Sequence, residues 1–536
     1  MNVARWNDLK CTSRWAVTRP DHRLECVLRA LALLCAVLAL PGVVRPSTNH
    51  LQTALELFNQ GDLEGAEKEA RFALNAPQDR APAWGILGTI RVQQKKYDEA
   101  VGFLRKALSL NPRLVGARVT LGGVYVLLGK KALATQMFTE ALRLDPPNFN
   151  ARLDLAQLES EAGDYRASLE TANPIASELR HSPEGLVLLA SDYSGLQQKG
   201  SLATLLPDWN ALPDSPPELT AAFATVLIKS GLGREGVEIL EKAKSTSSAS
   251  FDLTFALGRG YASMGDLNQA SESYEAALSL SESCVPCLTE IATIADRQGN
   301  TEKALAYLIR AKRIEPENPE ILFAFGKVCL ERDLNDDAFA ALSKATAQRP
   351  DNDSYSYVLA SAHVARKEYE DARILLEGLL KKHPSDAVLH YALGSVLYLE
   401  QNLDPAEQHL TKSIEIQPNQ RAAYYYLGLI AEGKGDRQQA IEVLEGLAKR
   451  WPDYGLAYEA LGTVLLHDRN YPQAQQMLEK AIQLNPNSVK AHYQLGMLLG
   501  RTGREDESNK QLEIARKLES EERAKSELQL HLLMPE

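Results

Sequence analysis

Two cysteines offer the first chemistry in this chain. Cys284-Val-Pro-Cys287 has C-x-x-C spacing, and at a helix N-terminus such a pair has a lowered thiol pKa suited to thiol–disulfide exchange. A thioredoxin-like site also needs a βαβ setting, and no such alternation surrounds this pair. Three readings stand. Cys287 is a small packing residue, because equivalent places elsewhere hold Ala83, Ala117, Ala151, Ala423, Ala457 and Ala491. Or the pair is a structural disulfide of an oxidising compartment. Or it is a thiol oxidoreductase site. Cys329 falls mid-helix at an inward place and reads as core. Gly231-Leu-Gly-Arg-Glu-Gly236 matches G-x-G-x-x-G by letter, but that fingerprint cradles phosphate only between a strand and a helix, and helical patterns flank it on both sides. The ten histidines are scattered without H-E-x-x-H, and neither a P-loop nor a G-x-S-x-G turn occurs. The carboxylates lie mostly on exposed helix faces and in turns. No catalytic residue, metal or cofactor is assigned.

The elements that would position any site follow one rhythm. Ala66, Ala100 and Ala134 are 34 apart, as are Ala270, Ala304, Ala338, Ala372, Ala406, Ala440 and Ala474, with Ser168, Gly236 and Ser508 on the same beat. Fourteen frames of 34 run from Ser47 to Glu522. In the frame Ala81–Leu114, Trp84, Leu87, Gly88 and Arg91 share one helical stripe. Gln94-Lys95-Lys96 makes a turn. Ala100, Leu104 and Ala107 form a second stripe, and Asn111-Pro112 stops it, because proline cannot continue a helix. The eighth place is always Gly or Ala, from Ala54 and Gly88 to Gly462 and Gly496. Small residues there let the two helices of a hairpin approach closely. A fixed period of this length is a stacked array whose units bury their apolar faces on one another.

The unit resembles the tetratricopeptide repeat. The matching residues are Trp84, Leu87-Gly88, Tyr97, Ala100, Ala107 and Pro112, and the pattern returns as Leu121-Gly122 with Ala134 and Pro146, Leu393-Gly394 with Ala406 and Pro418, and Leu427-Gly428 with Ala440 and Pro452. The resemblance covers about residues 47–522. It implies an all-α, right-handed superhelical solenoid of about 14 helix-turn-helix repeats. It also implies that first helices line a concave groove and meet ligand through their second, fifth, sixth and ninth places. The fifth place reads Phe255, Thr289, Phe323, Tyr357, Tyr391, Tyr425, Glu459 and Tyr493 in the later frames, but Leu51, Gly85, Val119, Leu153, Val187 and Ala221 in the earlier ones. This aromatic stripe either packs the array or binds ligand. Arg259 and Lys327, at the ninth place, add positive contacts for an acidic ligand, with Asp252 and Glu320 at the second place to offset them. The sixth place, from Gln52 and Ile86 through Thr120, Asp154 and Leu188 to Gln494, holds no asparagine. That departs from the groove chemistries that clamp a chaperone's terminal carboxylate or run an asparagine ladder. The implied function is a non-catalytic scaffold for a protein or peptide ligand. The alternative is a carbohydrate-handling envelope component whose aromatic row stacks on sugar rings.

Around the array, residues 1–46 read as a signal peptide or membrane anchor. Arg5, Lys10, Arg14, Arg19, Arg23 and Arg29 precede the apolar run Ala30–Leu40 and Pro41-Gly42, which places the repeats outside the cytoplasm, in the periplasm, secreted or anchored. A net charge of −11 argues against nucleic acid. Within the array we expect a stack over 47–182, a degenerate joint over 183–250 and a second stack over 251–522, closed by a capping helix at 523–536. The joint rests on Asn173-Pro174, Pro207, Pro213, Pro216 and Pro217, since interior proline costs about 3 kcal/mol in a helix. The other reading of this stretch is a degenerate but well-packed repeat.

Overall fold

The computed structural model describes residues 49–213, 215–246 and 249–522. The expected leader (1–46) and capping helix (523–536) lie outside the described residues. Among the described residues the regular elements are helices, paired into fourteen successive hairpins. From the third hairpin onward the first helix begins at the first residue of each 34-residue frame: Val115–Leu127, Phe149–Glu161, Pro183–Gly195, Pro217–Lys229, Phe251–Met264, and so on to Gly455–His467 and Val489–Arg501. The local reasons are legible. Asn148, Ser182, Ser250, Asn318, Asn352, Asp386 and Ser488 precede these helices and cap their free N–H groups with side-chain oxygens. Proline takes the first helical place at Pro183, Pro217 and Pro319, where its missing N–H is no loss.

The first helix of every hairpin ends the same way. The fifteenth place has positive φ in all fourteen frames. Glycine fills it in some, for example Gly61, Gly129 and Gly435, and Lys95, Gln197, Asp333, Lys367, Gln401 and Arg469 fill it in others. A left-handed residue after the last turn reverses the chain and lets the second helix fold back.

The two helices of a hairpin meet where the eighth place faces the twenty-fourth. A Cβ on Gly122 would lie 2.5 Å from the Phe138 ring, one on Gly258 2.6 Å from Tyr274, and one on Gly428 2.6 Å from Leu444. The small eighth place is therefore a space requirement, imposed by a large apolar side chain on the second helix. The twentieth place is equally tight, with Ala66, Ala100, Ala270 and Ala474 all fully buried.

The chain forms two compact units that divide between Glu282 and Ser283. This division lies outside the expected joint at 183–250. The prolines do break second helices: Tyr165–Ala172 passes through a 3-10 turn at Asn173–Ile175 into Ala176–Leu179, and the next is split into Lys199–Ala203 and Leu206–Ala211. Yet one apolar cluster runs unbroken through the stretch, from Ala156 and Ile175 through Leu186, Leu205 and Trp209 to Phe223 and Ile239. Trp209 stacks on Phe223 at 4.2 Å. Short helix pieces re-aimed by proline keep their apolar side chains in the core.

Within each unit, most successive first helices touch one another as well as their hairpin partners, while second helices meet mainly the helices before and after them in sequence. Closer spacing on the first-helix side makes that side the inside of the bend.

Candidate functional site

The inner faces of the two units differ in chemistry. In the unit from Ser283 onward, the fifth-place aromatics were expected to form a ligand stripe, and the structure sorts them by depth. Tyr391 is 0% exposed and belongs to the core, against Tyr426 at 6.2 Å between ring centroids. Phe323 is also buried, stacked on Tyr355 at 4.3 Å. These two are corrected from groove contacts to packing residues: neighbouring first helices converge on the inner side, and rings from the next turn close over them. Tyr357 and Tyr425 are half-buried. Burial pushes both phenols well above the ordinary tyrosine range, so they stay neutral donors. Tyr425 also meets Tyr426 edge-on at 5.6 Å and Tyr454 at 6.4 Å. Tyr493 alone of the row is open, at 49% exposed. Aromatic edges packed this way fix one another's orientation.

Lys327 does not offer a free cation. Its ammonium donates to Asp296 Oδ2 at 2.8 Å and lies 3.5 Å from Glu331 Oε1. These carboxylates hold its pKa up against the opposing effect of burial. Asp296 sits on the preceding repeat and Glu331 one turn further along the same helix, so the ammonium is already engaged within the chain. Glu459, where the row has no tyrosine, accepts from Ser488 Oγ at 2.6 Å and lies 3.5 Å from Lys490 Nζ.

In the unit ending at Glu282, Phe255 stacks on Phe251 at 5.7 Å and tilts against Tyr274 at 5.6 Å. Arg259 is half-buried on the same helix. The fifth-place row before it is aliphatic, with Leu153 and Val187 partly exposed. Beside Leu153 stands Asp154, half-buried like Tyr357 and pushed up to about 7 by burial. Its place in the sixth-place row was visible in the sequence. Elsewhere in this unit, buried Asp192 accepts from Ser168 Oγ at 2.6 Å and is pushed up to about 6 by burial.

The remaining chemistry is structural. Cys284 and Cys287 form a disulfide. Cys284 takes the N-cap place that Ser250 and Asn318 fill in other frames, and its Sγ accepts from Cys287 N at 3.1 Å. Cys284 is 7% exposed and Cys287 0%, so little of the bond faces solvent. Cys329 is buried and free, its thiol pushed up to about 12 by burial, as expected of a core residue. The glycine-rich motif is a helix-to-helix turn in which Gly231 has positive φ and Gly236 lies under Ile228. His363, Glu368 and Asp371 bring possible metal-ligand atoms within 4.8 Å of one another. Glu368, however, is bound by His363 Nδ1 at 2.8 Å and by Arg366 Nε at 2.8 Å, and the guanidinium sets a positive charge in the cluster. Among the described residues no helix is long and apolar enough to cross a membrane.

Comparison with known proteins agrees with this architecture. Tetratricopeptide repeat patterns match residues 51–114, 115–148, 253–284, 296–362, 330–396, 363–431, 425–474 and 477–516. Protein CTR9 homolog of Arabidopsis thaliana is 21% identical over 288 residues, covering 52% of this chain and 26% of that protein. Anaphase-promoting complex subunit 7 of Homo sapiens is 26% identical over 229 residues, 42% of this chain and 40% of the relative. The chain thus spans less than half the length of these curated relatives. The crystal structure of the APC/C hetero-tetramer Cut9-Hcn1 aligns with a TM-score of 0.42 at 13% identity, over 88% of this chain and 99% of that one. With the 34-residue hairpins, the left-handed fifteenth place and the small eighth place all present, the chain belongs to the tetratricopeptide repeat family.

Proposed function

We propose that the protein is a non-catalytic interaction scaffold that holds segments of partner proteins against its inner first-helix faces. The observation that carries this is register. The same face returns every 34 residues across each unit, so an extended segment meets equivalent side chains at regular steps. Half-buried, rigid aromatics such as Tyr357 and Tyr425, with exposed Tyr493, are the kind of side chain that anchors interfaces at little entropic cost. One relative's name places it as a subunit of a multi-protein complex, which supports protein partners here. The direct test is cross-linking by position: partner capture from first-helix places and none from second-helix places. Equal capture from both would contradict the reading.

We also place the array outside the cytoplasm. The basic residues and apolar run before Pro41 support this, as does the Cys284–Cys287 disulfide, because such bonds persist in oxidising compartments. Cells quenched in acid and alkylated without reductant should yield protein labelled at neither Cys284 nor Cys287. Labelling of both would place the array in a reducing compartment.

A further inference from the structure

Among the described residues, three hairpins carry the same pairing at one register. Histidine holds the fourth place, on the first helix, and its Nδ1 meets the twenty-third place, on the second. His50 meets Glu69 Oε2 at 2.6 Å, His492 meets Gln511 Oε1 at 2.6 Å, and His390 meets His409 Nδ1 at 3.0 Å. His390 is buried and His409 half-buried. His390 Nε2 lies 3.1 Å from the Pro384 carbonyl, as His492 Nε2 lies 3.0 Å from that of Pro486. A carbonyl only accepts, so His390 Nε2 carries the hydrogen and His390 Nδ1 presents a lone pair. His409 Nδ1 then donates to it. A proton taken up at the remaining nitrogen of His409, Nε2, leaves this contact whole. A second proton sets two N–H groups and two like charges against each other across 3.0 Å. Gln511 and Glu69 present oxygen acceptors at the equivalent place and raise no such conflict.

The helices packed against this hairpin do not supply the missing counter-charge. On Tyr369–Lys382, Glu377 favours the charged form of His409 but is bound by Arg373 at 3.0 Å, and Lys382 turns to Asp353 at 2.8 Å. On Leu403–Ile416, Asp404 and Glu407 are bound by Lys434, and Lys412 meets Glu415 at 3.0 Å. On Arg421–Gly433, Arg421 lies over the Tyr454 ring at 4.8 Å and Glu432 meets His467 at 2.7 Å. Burial, and then His390, hold His409 below the ordinary histidine range against Glu377. Tyr391 and Leu410, the next residues after the two histidines, are fully buried in one apolar cluster.

We propose that His390 and His409 form an acid-sensitive latch between Ala387–Leu399 and Leu403–Ile416, closed with one added proton or none and opened by the second. The latch goes beyond the scaffold reading and does not depend on it. Two imidazoles in contact titrate as a pair. The sign follows from the depressed His409: the unfolded hairpin binds protons that the folded one does not. Stability is therefore full above about pH 6.5, the ordinary histidine value, and is lost as pH falls below it. Opening loosens the seam that holds Tyr391 against Tyr426.

The test is hydrogen exchange in the full chain at about pH 7.5 and about pH 5.5, read as protection factors so that the pH dependence of the chemical step cancels. In the native protein, protection of Ala387–Leu399 and Leu403–Ile416 should fall with acid at least about tenfold more than that of Val489–Arg501 and Glu505–Glu522, the hairpin with His492 and Gln511. His409→Gln copies that pairing and should remove the excess loss. His409→Glu copies His50 and Glu69, and should hold or raise protection at the lower pH, because a carboxylate favours the charged imidazole. No excess loss in the native protein, or an excess loss that persists in either variant, overturns the latch. The readout is a change with pH, so a variant that merely weakens the fold at both pH values does not imitate it.

Discussion

Replacing Tyr391 with alanine is expected to destabilise the unit from Ser283 onward by about 3–5 kcal/mol, the usual cost of removing a large buried aromatic side chain. The ring is fully buried among Leu393, Leu397, Leu410 and Tyr426, and the hairpins on either side have no spare apolar mass to collapse into the space. Because stability in repeat arrays is set by each repeat and its neighbours, the loss should be local. Hydrogen exchange should accelerate in Ala387–Leu399 and Arg421–Gly433 and be unchanged before Glu282. Tyr493→Ala is the contrasting variant. Its ring is half in solvent, so its stability should change by no more than about 0.5 kcal/mol, and any effect should appear in partner capture. Similar destabilisation by both would refute the division of this row into core and surface.

The second large effect concerns the eighth place. Gly122→Ala drives a methyl into the Phe138 ring, and forced overpacking of this kind costs about 1–3 kcal/mol. The frames with alanine at this place suggest the remedy, since Ala224, Ala292 and Ala360 coexist with Leu240, Leu308 and Leu376 at the twenty-fourth place. Gly122→Ala combined with Phe138→Leu should therefore be less destabilised than the sum of the two single variants, as urea midpoints would show. Strict additivity would mean that the clash is not what holds glycine at Gly122.

The period made the fold legible. Once the frame was set from Ala100 and its equivalents, it located the starts of helices such as Val115–Leu127 and Val489–Arg501 without adjustment, because the chain between Ser47 and Glu522 carries no insertion. The proline-rich stretch was half legible. Pro174 and Pro207 break helices as local rules require, but whether the core survives the break depends on Trp209 reaching Phe223, a contact no local rule contains. The candidate site was less legible for a similar reason. Periodicity tells which face a residue occupies and not how deep it lies, so Tyr391, Tyr425 and Tyr493 look alike in sequence and differ in the fold. Lys327 was assigned to a ligand because its partner Asp296 sits 31 residues away on the preceding repeat.

The central claim is that partners lie along the first-helix faces. A photo-reactive residue placed at Gln157 or Tyr493, on first helices, and at Lys106 or Ala347, on exposed second-helix surface, tests it in the full chain in its own cells. The account predicts that Gln157 and Tyr493 become joined to a discrete partner, while Lys106 and Ala347 yield only uncross-linked protein. Partner capture from Lys106 and Ala347, with Gln157 and Tyr493 silent, would contradict it.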